Sequence, residues 1–145
     1  DETTCANTTC PGAGDEAATA MTAQVGQNAY ETDSATPSSP EPDESMCSGT
    51  YLDWSNSQDI WFVWNASFSG NAHFTTCDPS SYDTSMVLYQ GSSDNQVACN
   101  GDANGDNGCQ SYYSTIDFTV QAGTTYFIRI GGWQGAIGSG TLTIE

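Results

Sequence analysis

From Asp59 onward the chain repeats one pattern, short runs of apolar residues cut by Gly, Asn, Asp and Ser. The run "DIWFVWNAS", starting at Asp59, puts Trp61 and Val63 on one face and Phe62 and Trp64 on the other. Side chains alternate across a strand, so a run apolar on both faces reads as a central strand covered on both sides. "NAHFTTC", "SMVLYQG", "QVAC", "STIDFTV", "TTYFIRIG" and "SGTLTI" follow, and "NAYETD" near the N-terminus adds another. Short strands at this spacing, with turn residues between them, predict an all-β fold, an antiparallel β-sandwich. There is no heptad and no internal repeat.

The first fifty residues differ, because they hold few large apolar side chains. Residues 17–25 read as a short helix with a weak apolar stripe, closed by Gly26. "TPSSPEP" (residues 36–42) is linker-like, since its prolines forbid regular strand pairing. Too little core precedes it for a separate domain. The expectation is one domain over residues 1–145, with 1–50 an extended polar arm and 51–145 the core sandwich. At 145 residues, a chain buries about 68–70% of the surface its unfolded form exposes, enough for a real core.

Charge narrows the function. Eighteen acidic residues face a single basic one, Arg129, for a net charge of −17 and no lysine. Such a surface repels nucleic-acid phosphates and anionic headgroups, which argues against nucleic acid as a partner. No apolar run is long enough to span a bilayer, so membrane insertion is not expected either. Self-repulsion favours a salty or calcium-rich exterior, although the acids also serve simple solubility. The six cysteines point to an oxidising compartment, and their spacings supply no C-x-x-C pair for zinc. Loop-closure cost favours Cys99–Cys109 and Cys5–Cys10, leaving Cys47–Cys77. Beginning at Asp1 without an initiator Met or signal-like run, the chain reads as processed and exported, or as an excised domain.

The order of several short pieces carries a resemblance. They are the Asp-Ile-Trp-Phe strand at Asp59, Thr-Cys at Cys77 followed by Asp83-Thr84, and Ala-Cys-Asn-Gly-Asp ending at Asp102. Ala-Gly-Thr-Thr-Tyr ending at Tyr126, Gly-Gly-Trp ending at Trp133 and the closing Gly-Thr-Leu-Thr-Ile complete the series. In this order they resemble the bacterial pre-peptidase C-terminal domain family, in the form common in exported planctomycete-type proteins. "NAYETDSATPS" is similar to that family's opening strand. The resemblance implies a jelly-roll-like sandwich, usually non-catalytic, appended to secreted hydrolases or cell-surface proteins. Relatives in collagenases bind calcium and collagen.

Candidate chemistry centres on "GDANGDNG", between Cys99 and Cys109. Asn100, Asp102, Asn104 and Asp106 place side-chain oxygens at alternate positions, and calcium selects oxygen. Asp102, Asn104 and Asp106 match the opening of an EF-hand loop, but Asn107 replaces its glycine and Tyr113 its final carboxylate. Two readings stand for this loop: a calcium site helped by a distant acid such as Asp83 or Asp94, and a plain polar turn. "DTS" at Asp83 lacks the second copy and apolar lead-in of an aspartic protease, so Asp83 is expected to organise a strand-end turn. His73, the only histidine, falls on the face opposite Ala72 and Phe74 and is expected outside, with no nucleophile elbow to serve. A glycosidase-type carboxylate pair is disfavoured in a compact sandwich without a deep cleft.

Arg129 alternates with Tyr126, Ile128 and Ile130, so it shares the other face with Phe127, and Asp59 or Asp83 is its expected partner. Trp61 and Trp64 are expected in the core. Trp133, Tyr112 and Tyr113 are the candidate ligand-binding residues, because flat exposed aromatics stack on sugars and anchor interfaces. For Trp133 the alternative is a loop tryptophan folded over the sandwich end. Asn7 and Asn65 begin glycosylation sequons.

The expected function is therefore non-catalytic, a secreted interaction or assembly module of a cell-surface or matrix protein, with calcium as candidate cofactor. One alternative is a self-polymerising subunit of an extracellular filament or surface layer, its arm adding a strand to a neighbour's sheet. The other is a carbohydrate-binding accessory module of a secreted hydrolase. Partners are accordingly an extracellular polysaccharide or protein polymer, or copies of the chain itself.

Overall fold

A computed structural model describes residues 12–47, 49–103 and 108–145. The strands are β1 (Met21–Thr22), β2 (Gly26–Glu31), β3 (Ile60–Asn65), β4 (Gly70–Thr75), β5 (Thr84–Gln90), β6 (Gln96–Asn100), β7 (Thr115–Val120), β8 (Thr125–Gly132) and β9 (Ser139–Ile144). Two sheets form a jelly-roll-like sandwich, ordered β1-β3-β8-β5-β6 and β2-β9-β4-β7. Every pairing is antiparallel except β1 with β3. From β3 onward the chain passes back and forth between the sheets, so loops of both gather at common ends.

The alternation read from the sequence sets the two faces of the larger sheet. Ile60, Phe62 and Trp64 of β3 and Tyr126, Ile128 and Ile130 of β8 point inward, against Phe74, Leu142 and Ile144 of the other sheet. Trp61, Val87 and Tyr89 point outward, where Trp54, Leu52 and Cys47 cover them. A second small core therefore lies outside the sandwich, roofed by the N-terminal arm. Residues 17–25 do not form the expected helix. They make a 3-10 turn (Ala17–Thr19) and then β1, which pairs with β3. The weak apolar stripe gave a helix too little to bury, while the free edge of β3 offered unpaired backbone groups.

Arg129 fastens the arm. It is 2% exposed, and its Nε donates to Asp59 Oδ2 at 2.5 Å; Asp59 is fully buried. Its guanidinium lies 4.8 Å from the Trp54 ring centroid and 4.9 Å from that of Trp61, held between two aromatic faces. The remaining donors reach Pro40 O (2.9 Å), Ser38 O (2.9 Å) and Tyr89 Oη (3.3 Å). The arm is thus tied at Ser38 and Pro40 to the side chain of the chain's one strong cation.

Candidate functional site

Five strand ends meet at one end of the sandwich. Thr84 of β5 pairs with Gly132 of β8, Met86 with Asn100 of β6, and Thr75 of β4 with Thr115 of β7. The flanking loops carry Asp83, Asp102, Tyr112 and Trp133, and the segment after the Glu44–Cys47 turn brings Tyr51 beside them. These five residues line one concave pocket of about 430 Å³. Tyr51 (73% exposed), Tyr112 (56%) and Trp133 (39%) are the large exposed aromatics among the described residues, and all three face this pocket.

Buried hydroxyls beneath the pocket lock its strand ends together. Thr76 Oγ1 meets Thr84 Oγ1 at 2.7 Å, and Thr84 Oγ1 meets Ser114 Oγ at 2.9 Å. Ser114 N donates to Thr76 Oγ1 at 2.8 Å. Thr84 follows Asp83, and Ser114 lies two residues beyond Tyr112, so this cluster sets the spacing of acid and aromatic. Gln110 adds a brace, donating from Nε2 to Thr76 O (3.2 Å) and Tyr82 O (3.1 Å). Trp133 N donates to Asp83 O at 3.1 Å, which fixes the tryptophan loop on the acid's own backbone.

Both described disulfides staple the same end. Cys47 joins Cys99 with Cα atoms 5.7 Å apart, and Cys77 joins Cys109 at 4.6 Å. The expected Cys99–Cys109 and Cys47–Cys77 pairs are thus corrected, and the Cys5–Cys10 expectation lies outside the described residues. The Glu44–Cys47 turn packs on β6, which presents Cys99 to it, whereas Cys109 has turned towards the exit of β4. Cys47–Cys99 draws the Tyr51 segment against β6. A Cβ on Gly101 would lie 2.4 Å from Thr50 O, so glycine is needed for that approach. Two disulfides suit an oxidising, extracellular setting.

Electrostatics single out Asp83. Its Oδ1 is buried with no hydrogen-bond partner among the described residues. Burial, with the neighbouring Asp102, pushes its carboxyl up to about 6. Burial also raises the Asp102 carboxyl from its ordinary value. The two acids lack a cation of their own, because Arg129 is held by Asp59 and His73 Nδ1 lies 2.9 Å from Asp117 Oδ1 on the β4–β7 surface. That contact is half-exposed, as expected for His73, and its hydrogen bond lowers Asp117.

The sequence-predicted residues divide accordingly. Trp133, Tyr112, Asp83 and Asp102 come together. Tyr113 does not, because it is 3% exposed and its carbonyl accepts from Ala103 N at 2.7 Å; its ligand-facing role is corrected. Asn100 Oδ1 accepts from Thr115 N at 3.0 Å, which ties β6 to β7. Asp94 precedes β6 and lies at the strand's other end from Asp102, its carboxylate engaged by Ser92. Asn104 and Asp106 lie outside the described residues. Tyr51 was missed, because it sits where the polar arm meets the core with no periodic pattern around it. Among the described residues no three acidic, histidine or cysteine side chains are grouped to hold a metal.

A second cavity, about 490 Å³, lies under the arm. Its aromatics Trp61 and Tyr89 are buried and the Arg129 at its floor is fully engaged, so it is the poorer candidate. Asn65 of the described sequon is exposed at the end of β3, and its Oδ1 accepts from Thr125 Oγ1 at 2.7 Å.

No protein-family profile matches this chain, and neither does any curated protein. Among solved structures, it is similar to the pre-peptidase C-terminal domain of a collagenase from Bacillus anthracis. The two are 13% identical over 87% of this chain and 94% of that one, with a TM-score of 0.53. A family 35 carbohydrate-binding module from an environmental isolate aligns at 15% identity over 81% of this chain and 91% of its own, with a TM-score of 0.39. The fold is therefore like that of a pre-peptidase C-terminal domain.

Proposed function

We propose that this protein is a non-catalytic, secreted recognition module that binds an extracellular polysaccharide through the pocket between Tyr51, Tyr112 and Trp133. One observation carries the reading: the exposed aromatics of the described chain converge on a single concave surface that also holds two carboxylates. Flat aromatic faces stack on the apolar faces of sugar rings, and carboxylates accept hydrogen bonds from sugar hydroxyls. A volume of about 430 Å³ sits within the usual range of small-ligand sites, about 300–1,000 Å³. Tyr51 (φ 57°) and Tyr112 (φ 65°) adopt the left-handed backbone region that non-glycine residues avoid.

The polymerising alternative is less well supported. Residues 12–47 are engaged within their own domain, through β1 on β3, β2 on β9 and the Arg129 contacts. Calcium enters the proposal only as a stabiliser of the loop after Asn100. The deciding experiment is affinity electrophoresis of wild type and Trp133→Ala against a panel of soluble polysaccharides, with millimolar calcium and with EGTA. Retardation by one or a few glycans, lost in Trp133→Ala, is the expected result. No retardation by any glycan, with calcium-driven growth in sedimentation velocity instead, would replace recognition by assembly.

A further inference from the structure

The charge around the pocket identifies its ligand more closely. This inference rests on the polysaccharide reading above. The sequence contains one arginine, one histidine and no lysine. Both cationic side chains are engaged elsewhere, Arg129 with Asp59 and His73 with Asp117. Asp83 and Asp102 therefore line the same pocket without a cationic side chain to neutralise them, and one buried oxygen of Asp83 has no donor among the described residues. Two carboxylates in a partly buried site with no cationic side chain beside them among the described residues cost free energy that a cationic ligand group would recover.

Two kinds of cation could supply the charge, and the lining decides between them. A hard metal ion needs a shell of oxygens, and three of the five described lining residues offer aromatic faces instead. An ammonium is attracted both to carboxylates and to the faces of Trp and Tyr. The rim is open, with Tyr51 and Tyr112 more than half exposed, which suits a chain lying across it rather than a small ion enclosed by it. We propose that the pocket selects an amino sugar, a glucosamine-type unit of an extracellular polymer, with the ring over Trp133 and the tyrosines and its ammonium between Asp83 and Asp102.

The test compares three hexamers by calorimetry near neutral pH: glucosamine, N-acetylglucosamine and the uncharged glucose polymer cellohexaose. The glucosamine hexamer is expected to bind about tenfold more tightly than either of the others, the scale of one charge-assisted hydrogen bond. Asp83→Asn with Asp102→Asn should bring that ratio close to one, and Trp133→Ala should weaken all binding. Because a chain of −17 attracts any polycation, a lysine hexamer is the control. Equal binding of all three sugars would overturn the amino-sugar selection and leave glycan recognition standing. No binding by any sugar, with none on a wider glycan panel, would sink both. Undiminished glucosamine preference in the double Asn variant, or equal binding of the lysine hexamer at the same variant-sensitive site, would also overturn the selection. Melting curves of each variant confirm that the fold is retained.

Discussion

Replacing Arg129 by methionine keeps most of the aliphatic stem and removes the charge, and the structure sets how much that should cost. Asp59 would remain in place, fully buried, with only the Ser38 N and Oγ donors at 3.1 and 2.8 Å. Removing one partner of a buried ion pair costs about 3–5 kcal/mol, because it strands the other charge. The lost contact with the faces of Trp54 and Trp61 adds to this, at about 0.5–2 kcal/mol for a cation–π interaction. Ser38 O, Pro40 O and the Tyr89 hydroxyl also lose their donor. Against a typical total stability of about 5–15 kcal/mol, this is a large fraction. At about 2–4 °C per kcal/mol for a domain near this size, the melting temperature should fall by about 10 °C or more.

Thermal melts of wild type, Arg129→Met, Asp59→Asn and the double variant give the coupling directly. The double variant should lose clearly less than the sum of the single losses, since the stranded charge is then gone. Limited proteolysis should also find a new cleavage region around residues 36–43, where the arm loses its tether. A loss below about 1 kcal/mol in Arg129→Met, or strict additivity, would refute the account of a charge held by burial and partners.

Three further outcomes are expected. Replacing Cys77 and Cys109 by serine opens a link spanning 32 residues, worth about 3.5–4 kcal/mol by loop-closure entropy; chemical denaturation measures it, and glycan affinity should fall with it because the Tyr112 loop is released. Gly101→Val drives side-chain atoms into Thr50 O and the Leu52 backbone, so a loss of about 1–3 kcal/mol by overpacking, with reduced glycan binding, is expected; an unchanged melting curve would contradict the close approach. Asp83, at about 6 in the folded chain against an ordinary 3.8, opposes folding above pH 6 and ceases to do so as pH falls towards 4. Asp83→Asn should therefore raise the melting temperature at neutral pH, with the gain shrinking in acid; a gain that is flat with pH would show that burial is not the cause.

The alternation in the sequence determined the faces. Because neighbouring strand residues point to opposite sides, Phe62 and Trp64 had to separate from Trp61, and Arg129 had to share a side with Phe127 rather than with Ile128. The acid at Asp59, preceding the first strong strand, was already one of two named partners for that arginine. The strands after Asp59 and the resemblance to pre-peptidase C-terminal domains likewise followed from short-range order.

The site was less legible, because it is assembled from loop residues far apart in the chain. Tyr112 and Tyr113 are chemically alike and adjacent, yet beside the lock of Ser114 on Thr76 and Thr84 one is exposed, with a φ of 65°, and the other is buried in the core. Cysteine pairing followed the meeting of Cys47 with β6 rather than the shortest loop, since backbone proximity in the folded state outweighs a logarithmic closure cost. Tyr51 had no pattern to announce it, and the gathering of Asp83 and Asp102 depended on β5 and β6 ending side by side. Periodicity is a local property and survives reading along the chain; convergence is a property of the packed sheets, and only their register brought these five side chains to one surface.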